Sequence, residues 1–94
     1  MLTIERSTAF RRDYKREKRG QHRAALQKEL VNVLKKLIND EPLDKKYRDH
    51  NLTNNWVGYR ECHIKPDLLL IYEKPDAETL RLVRLGSHSQ LFNS

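Results

Sequence analysis

Apolar positions change their spacing along the 94 residues, and each change marks a different kind of element. Leu2 and Ile4 alternate with Thr3 and Glu5, the period of a short first strand. Ser7 stands as an N-cap for a helix opening near Thr8, on which Phe10 and Tyr14 share one face. Gly20 interrupts this helix. From Gln21 to Asn39 the residues Leu26, Leu30, Val33, Leu34, Leu37 and Ile38 recur at steps of four, three, one, three and one. That spacing predicts a second helix with an amphipathic stripe that must pack on something.

After Asp40-Glu41-Pro42 a polar segment runs to Asn55, and the period then shortens to that of strands. Trp56 to Ile64 reads as one strand, and Leu68-Leu69-Leu70-Ile71-Tyr72 is an unbroken apolar run of the length expected for a strand central in its sheet. Leu80, Leu82, Val83 and Leu85 form a third, which Gly86 ends. Lys65-Pro66 and Lys74-Pro75-Asp76-Ala77-Glu78 are the turns between them. A strand, two helices and a three-stranded antiparallel meander predict a two-layer α+β domain with both helices on one face. Residues 1–94 allow one such domain, whose core buries roughly 60–65% of the unfolded surface.

Charge adds a second pattern. The chain carries +6 overall, and +5 of it lies within Met1–Arg23, where Arg6, Arg11, Arg12, Lys15, Arg16, Lys18, Arg19 and Arg23 face only Glu5, Asp13 and Glu17. Clustered cations favour a polyanionic partner, through faster encounter and counterion release from phosphates, although a solvated helix face has the same composition. The single cysteine, Cys62, excludes an internal disulfide. No apolar run of about 18 residues suggests membrane insertion and no leader pattern suggests export, so cytoplasmic residence is expected.

Acid–base groups concentrate in Arg60-Glu61-Cys62-His63-Ile64-Lys65-Pro66-Asp67 and in Gly86-Ser87-His88-Ser89-Gln90-Leu91-Phe92. Imidazole both gives and takes protons near neutrality, so His63 and His88, with His50 upstream and Asp67 beside the Lys65-Pro66 turn, suit proton transfer. Arg84, two residues before Gly86, offers a fixed positive charge for a phosphate. Phe92 has two readings, a nucleobase stack or simple docking of the tail on the core. His22 reads as an ordinary histidine of the basic helical region, and Trp56 and Tyr59 as half-buried strand aromatics. Cys62 and His63, adjacent in a strand, point to opposite faces and share no metal. A tris-histidine zinc site from His50, His63 and His88 would lack close-spaced ligand pairs, so no metal or cofactor is expected.

The combination Pro42-Leu43, Asp49-His50, Leu52, Trp56, Tyr59-Arg60, His63-Ile64, Pro66-Asp67, Leu69-Leu70-Ile71-Tyr72, Arg84-Leu85-Gly86-Ser87-His88 and Leu91-Phe92 resembles the YafQ branch of the RelE-type toxins of bacterial toxin–antitoxin systems. It spans residues 42–92; the N-terminal half is similar only in helical order and basic charge. Asn54 stands where many relatives have a glycine two residues before the tryptophan, and asparagine is among the residues that best tolerate a left-handed backbone. The resemblance implies a RelE-like fold and a ribosome-dependent endoribonuclease that cuts mRNA in the ribosomal A site and is silenced by a cognate antitoxin. It implies catalytic roles for His50, His63, Asp67 and His88, and substrate contacts for Arg84 and Phe92.

RNA supplies its own nucleophile, the 2'-hydroxyl, so a metal-free enzyme needs a base, a cation for the phosphorane charge and an acid for the leaving 5'-oxygen. Asp67 or His50 is expected as base, Arg84 with His63 as charge stabilisers, and His88 as acid. Arg11, Arg12, Lys15, Arg16, Lys18 and Arg19 are expected to grip ribosomal RNA. Two other readings fit the basic charge: a ParE-like toxin binding DNA gyrase, and a non-catalytic RNA-binding module. Neither requires the four acid–base positions.

Overall fold

The computed structural model describes residues 1–92; the last two of the expected 1–94 domain lie outside the described residues. Strand β1 (Thr3–Arg6) leads directly into helix α1 (Thr8–Lys18), because Ser7 adopts extended backbone and its Oγ accepts the Phe10 N–H at 2.9 Å. The same hydroxyl donates to the Val83 carbonyl at 2.7 Å, which fastens the cap to the far end of the chain.

The long second helix expected over 21–39 is two helices, α2 (Arg23–Gln27) and α3 (Glu29–Ile38). Lys28, at φ −117° and ψ −68°, is the joint. Bending there buries Ala25 and Leu26 of α2 together with Leu30, Val33 and Leu37 of α3. No glycine or proline marks the bend, so packing rather than local preference produces it.

Strands β2 (His50–Asn51), β3 (Arg60–Lys65), β4 (Leu68–Asp76) and β5 (Thr79–Gly86) complete a five-stranded sheet in the order β1-β5-β4-β3-β2. The meander is β3-β4-β5; β1 joins its edge in parallel with β5, pairing Thr3 with Thr79 through Arg6 with Leu82. The strand expected from Trp56 begins only at Arg60. Asn54–Trp56 forms one turn of 3-10 helix, and Asn54 (φ 57°) and Gly58 (φ 95°) both take left-handed backbone that an extended strand excludes.

Alternation along β4 builds two cores. Leu68, Leu70 and Tyr72 pack with Leu80, Leu82 and Leu85 of β5 beneath the helices, against Phe10, Leu26, Leu30, Val33 and Leu37. Leu69 and Ile71 face the other way and join Leu91, with half-buried Leu52, Trp56, Tyr59, Val83 and Phe92 around them. Helices α1, α2 and α3 therefore lie on one face, the layer expected for two helices, and the second face is only thinly covered.

Candidate active site

Helix α4 (His88–Phe92) follows β5 after a single residue. Its start is closed reciprocally: the Gln90 N–H donates to Ser87 Oγ at 3.2 Å, and the Ser87 N–H donates to Gln90 Oε1 at 2.8 Å. Ser87-His88-Ser89-Gln90 is thus a capping box, a helix-start signal that the sequence reading passed over. Asp67 Oδ1 accepts the His88 N–H at 3.1 Å, so the β3–β4 turn holds the helix that presents His88.

Three imidazoles line up across the thinly covered face. The His50 and His63 ring centres are 6.3 Å apart, and those of His63 and His88 6.5 Å. Glu61, which the sequence reading did not single out, lies between the first two. It pairs across the ladder with His50 and shares a strand face with His63 two residues on. Its Oε1 stands 3.3 Å from His50 Nε2 and 3.4 Å from His63 Nε2, and the residue is only 3% exposed. The available signal was parity, since a carboxylate two residues from a histidine in a strand shares its face.

Arg48 sets the orientation of His50. Its left-handed backbone (φ 49°, ψ 44°) places its carbonyl 2.6 Å from His50 Nδ1. A carbonyl only accepts, so Nδ1 carries the proton and Nε2 faces the Glu61 carboxylate. A lone pair on Nε2 would repel the Glu61 carboxylate, whereas an imidazolium there is attracted to it. The peptide bearing His50 is pinned as well: Arg60 donates to Asp49 at 2.8 Å and to Asn51 at 2.6 Å, and the Tyr72 hydroxyl donates to Asp49 at 2.5 Å. Burial, then the Asp49 carboxylate, pushes the Tyr72 phenol well above its usual range, so it stays a donor.

Phe92 docks edge-on against Trp56, with ring centres 5.8 Å apart, and lies 5.4 Å from the His88 ring. A cleft of about 570 Å³ is lined by Leu52, Trp56 and Phe92 together with His50, Glu61 and His88. Half-buried aromatics beside titratable groups suit a nucleobase next to a reacting phosphate. Cys62 points to the helical side, is fully buried, and has its thiol pushed up by that burial, so it is no nucleophile.

The family model for bacterial YafQ toxins of type II toxin–antitoxin systems matches residues 2–93. The chain belongs to this family. The mRNA interferase toxin YafQ of Escherichia coli BL21-DE3 is 40% identical over 90 residues, 95% of this chain and 94% of that protein. The E. coli DinJ–YafQ complex contains a chain of the same fold, with TM-score 0.79, 35% identity and coverage of 98% of this chain and 99% of that one. A metal-bound toxin from Helicobacter pylori is 46% identical, with TM-score 0.81 and coverage of 98% and 100%. Among the described residues of this family member, no three His, Cys, Asp or Glu side chains are arranged to hold one ion.

Arg84 pairs with Ile71, whose other neighbour is Glu61, so it continues the strand row that carries the buried carboxylate, and with Arg16 it joins an ion cluster on α1. Arg84 Nε donates to Asp13 Oδ2 at 2.7 Å; Arg16 donates to Asp13 at 2.8 Å, to Glu17 at 2.9 Å and to the Leu85 carbonyl at 2.8 Å. Arg16 is thereby engaged in holding α1 to β5. Arg11, Arg12, Lys15, Lys18 and Arg19 are exposed and make no ion pair among the described residues. These five are the cations of α1 and its end that remain available to a polyanion.

Proposed function

We propose that this YafQ-family toxin cuts mRNA in the ribosomal A site by metal-free transfer of protons, using the RNA 2'-hydroxyl as nucleophile. The observation that carries the reading is the row His50, His63, His88 with Glu61 buried against its first two members. In-line attack on phosphorus puts the entering 2'-oxygen and the leaving 5'-oxygen on opposite sides, so base and acid must stand at opposite ends of the site. His50 at one end is the base. Glu61 lies where it stabilises the imidazolium that His50 becomes on accepting the proton. His88 at the other end is the acid, His63 between them offers charge to the phosphorane oxygens, and Arg84 adds a fixed cation. Asp67 keeps His88 in place through the backbone N–H it accepts. Phe92, backed by Trp56, stacks the adjoining base.

Arg11, Arg12, Lys15, Lys18 and Arg19 anchor ribosomal RNA, which places residues 1–94 on the ribosome as one toxin domain in the cytoplasm. Its cognate antitoxin is the silencing partner, as the E. coli relative's complex with DinJ suggests. Primer extension on an mRNA, with and without ribosomes, tests the activity. The expected result is a cut that requires ribosomes and leaves a 2',3'-cyclic phosphate or its 3'-phosphate product. Cleavage abolished by EDTA at a magnesium level that keeps ribosomes intact, and restored only by zinc or copper, would replace the metal-free mechanism.

A further inference from the structure

Pairing of β1 with β5 stops at Arg6 and Leu82, which leaves Val83–Gly86 with an open edge. Helix α1 and its cap fill that edge with polar groups in place of a strand. The Ser7 N–H donates to the Leu82 carbonyl at 3.0 Å and its hydroxyl to the Val83 carbonyl at 2.7 Å. Asp13 accepts the Leu85 N–H at 3.0 Å, and Arg16 Nη2 donates to the Leu85 carbonyl at 2.8 Å.

Capping an edge carbonyl takes only a neutral donor, as Ser7 shows. Asp13 does more. Its carboxylate, 3% exposed, also takes Arg84 Nε at 2.7 Å, Arg84 Nη2 at 3.3 Å and Arg16 Nη1 at 2.8 Å. Burying a carboxylate is costly unless charged donors meet it, and here three guanidinium nitrogens and one backbone N–H do. Burial alone would raise the Asp13 carboxyl, but the bonds from Arg84, Leu85 and Arg16 outweigh it and hold the group below its usual range. Arg84 is gripped by two of its three nitrogens, and Nη1 makes no hydrogen bond among the described residues. The same node borders the histidine helix: a Cβ on Gly86 would stand 2.7 Å from Arg16 Nη2 and 2.8 Å from Gln90 Oε1. Helix α1, the end of β5 and α4 meet at Gly86, where an added side chain would have to displace the ends of Arg16 and Gln90.

We infer that Asp13 is a positioning residue for RNA cleavage, acting through Arg84, whose guanidinium it presets to receive the charge that develops on the scissile phosphate. The inference rests on the proposed cleavage reaction and on Arg84 as its fixed cation. A guanidinium already oriented needs no reorganisation when the phosphorane forms, and that is where a preset charge acts on rate rather than on binding.

The test is single-turnover cleavage on programmed ribosomes by Asp13→Asn, Arg84→Lys and the double variant, each at saturating ribosomes. Both single variants should slow cleavage by about 10- to 10²-fold with ribosome affinity unchanged, and the double should be no slower than the slower single. A second readout is the ratio of rates on normal RNA and on RNA with a non-bridging sulfur at the scissile phosphate. It is taken within one preparation, so a smaller folded fraction leaves it unaltered. That ratio should change in Asp13→Asn and Arg84→Lys alike. Multiplying losses in the double variant, or a wild-type ratio in Asp13→Asn, would make Asp13 an edge cap only and overturn the inference. Arg84→Lys at the wild-type rate and ratio would remove Arg84 from the reaction, and the inference would fall with it.

Discussion

The two faces of the sheet are built from the same strands yet do opposite work. Under the helices, Leu68, Leu70 and Tyr72 are buried in a core that draws on three helical segments, with Asp13 and Glu17 held in an ion cluster with Arg16. On the other face, Leu69 and Ile71 meet only Leu91 and a ring of half-buried side chains. There the polar groups are unsaturated: His50 and His63 converge on one buried carboxylate, and His88 lies in the open. The closed face supplies the free energy that keeps the strands in register. The thinly covered face can then carry titratable groups at fixed positions with access to substrate.

The contrast breaks most readily at His88. Replacing it with glutamine should leave the melting temperature within a few degrees and slow single-turnover cleavage by roughly 10²- to 10⁴-fold, about 2.7–5.5 kcal/mol of barrier. A substrate with a bridging 5'-sulfur leaves without protonation and should recover most of the loss; equal slowing on that substrate would move the acid role elsewhere. Across the sheet, Leu70→Ala should do the reverse. It opens a cavity in the helix-covered core and should cost about 2–5 kcal/mol of stability in denaturant titration, while cleavage per folded molecule stays close to normal. Loss of activity without loss of stability in this variant would mean the faces are not separable.

Smaller effects sharpen the picture. Charge reversal of Arg12, Lys15, Lys18 and Arg19 should weaken ribosome binding and lower the logarithmic salt slope by about one unit for each lost phosphate contact. An unchanged slope would leave these cations as a solvated face. The smallest effect is on acid stability. The Asp13 carboxyl lies below its ordinary value of 3.8 in the folded protein, so its contribution is complete above that pH and lost as pH falls through the folded value. Wild-type stability should therefore decline below pH 3.8 more steeply than that of Asp13→Asn, and parallel curves in acid unfolding would dismiss the linkage.

Much of this was legible in local pattern. The Leu68–Tyr72 run, the alternation around Leu80–Leu85 and the stripe Leu26–Ile38 announce their elements because burial on one or two faces leaves a period in the chain. His50, His63, Asp67 and His88 stood out as acid–base groups, and the structure does bring them to one face. Other features had signals that were not used: the capping box at Ser87–Gln90, the glycine at 58 inside a supposed strand, and the parity that joins Glu61 to His63.

What the sequence by itself determined is the set of elements, the family and the stock of proton-transfer groups, since these depend on residue type and short-range spacing. Tertiary structure alone decided the bend at Lys28, the pairing of β1 with β5, the engagement of Arg16 and the meeting of Asp13 with Arg84. The bend answers to packing on the sheet, and the other three join groups far apart in the chain, Asp13 and Arg84 being 71 residues apart. Such contacts leave no period in a sequence, because the groups become neighbours only once the sheet and α1 have closed on each other.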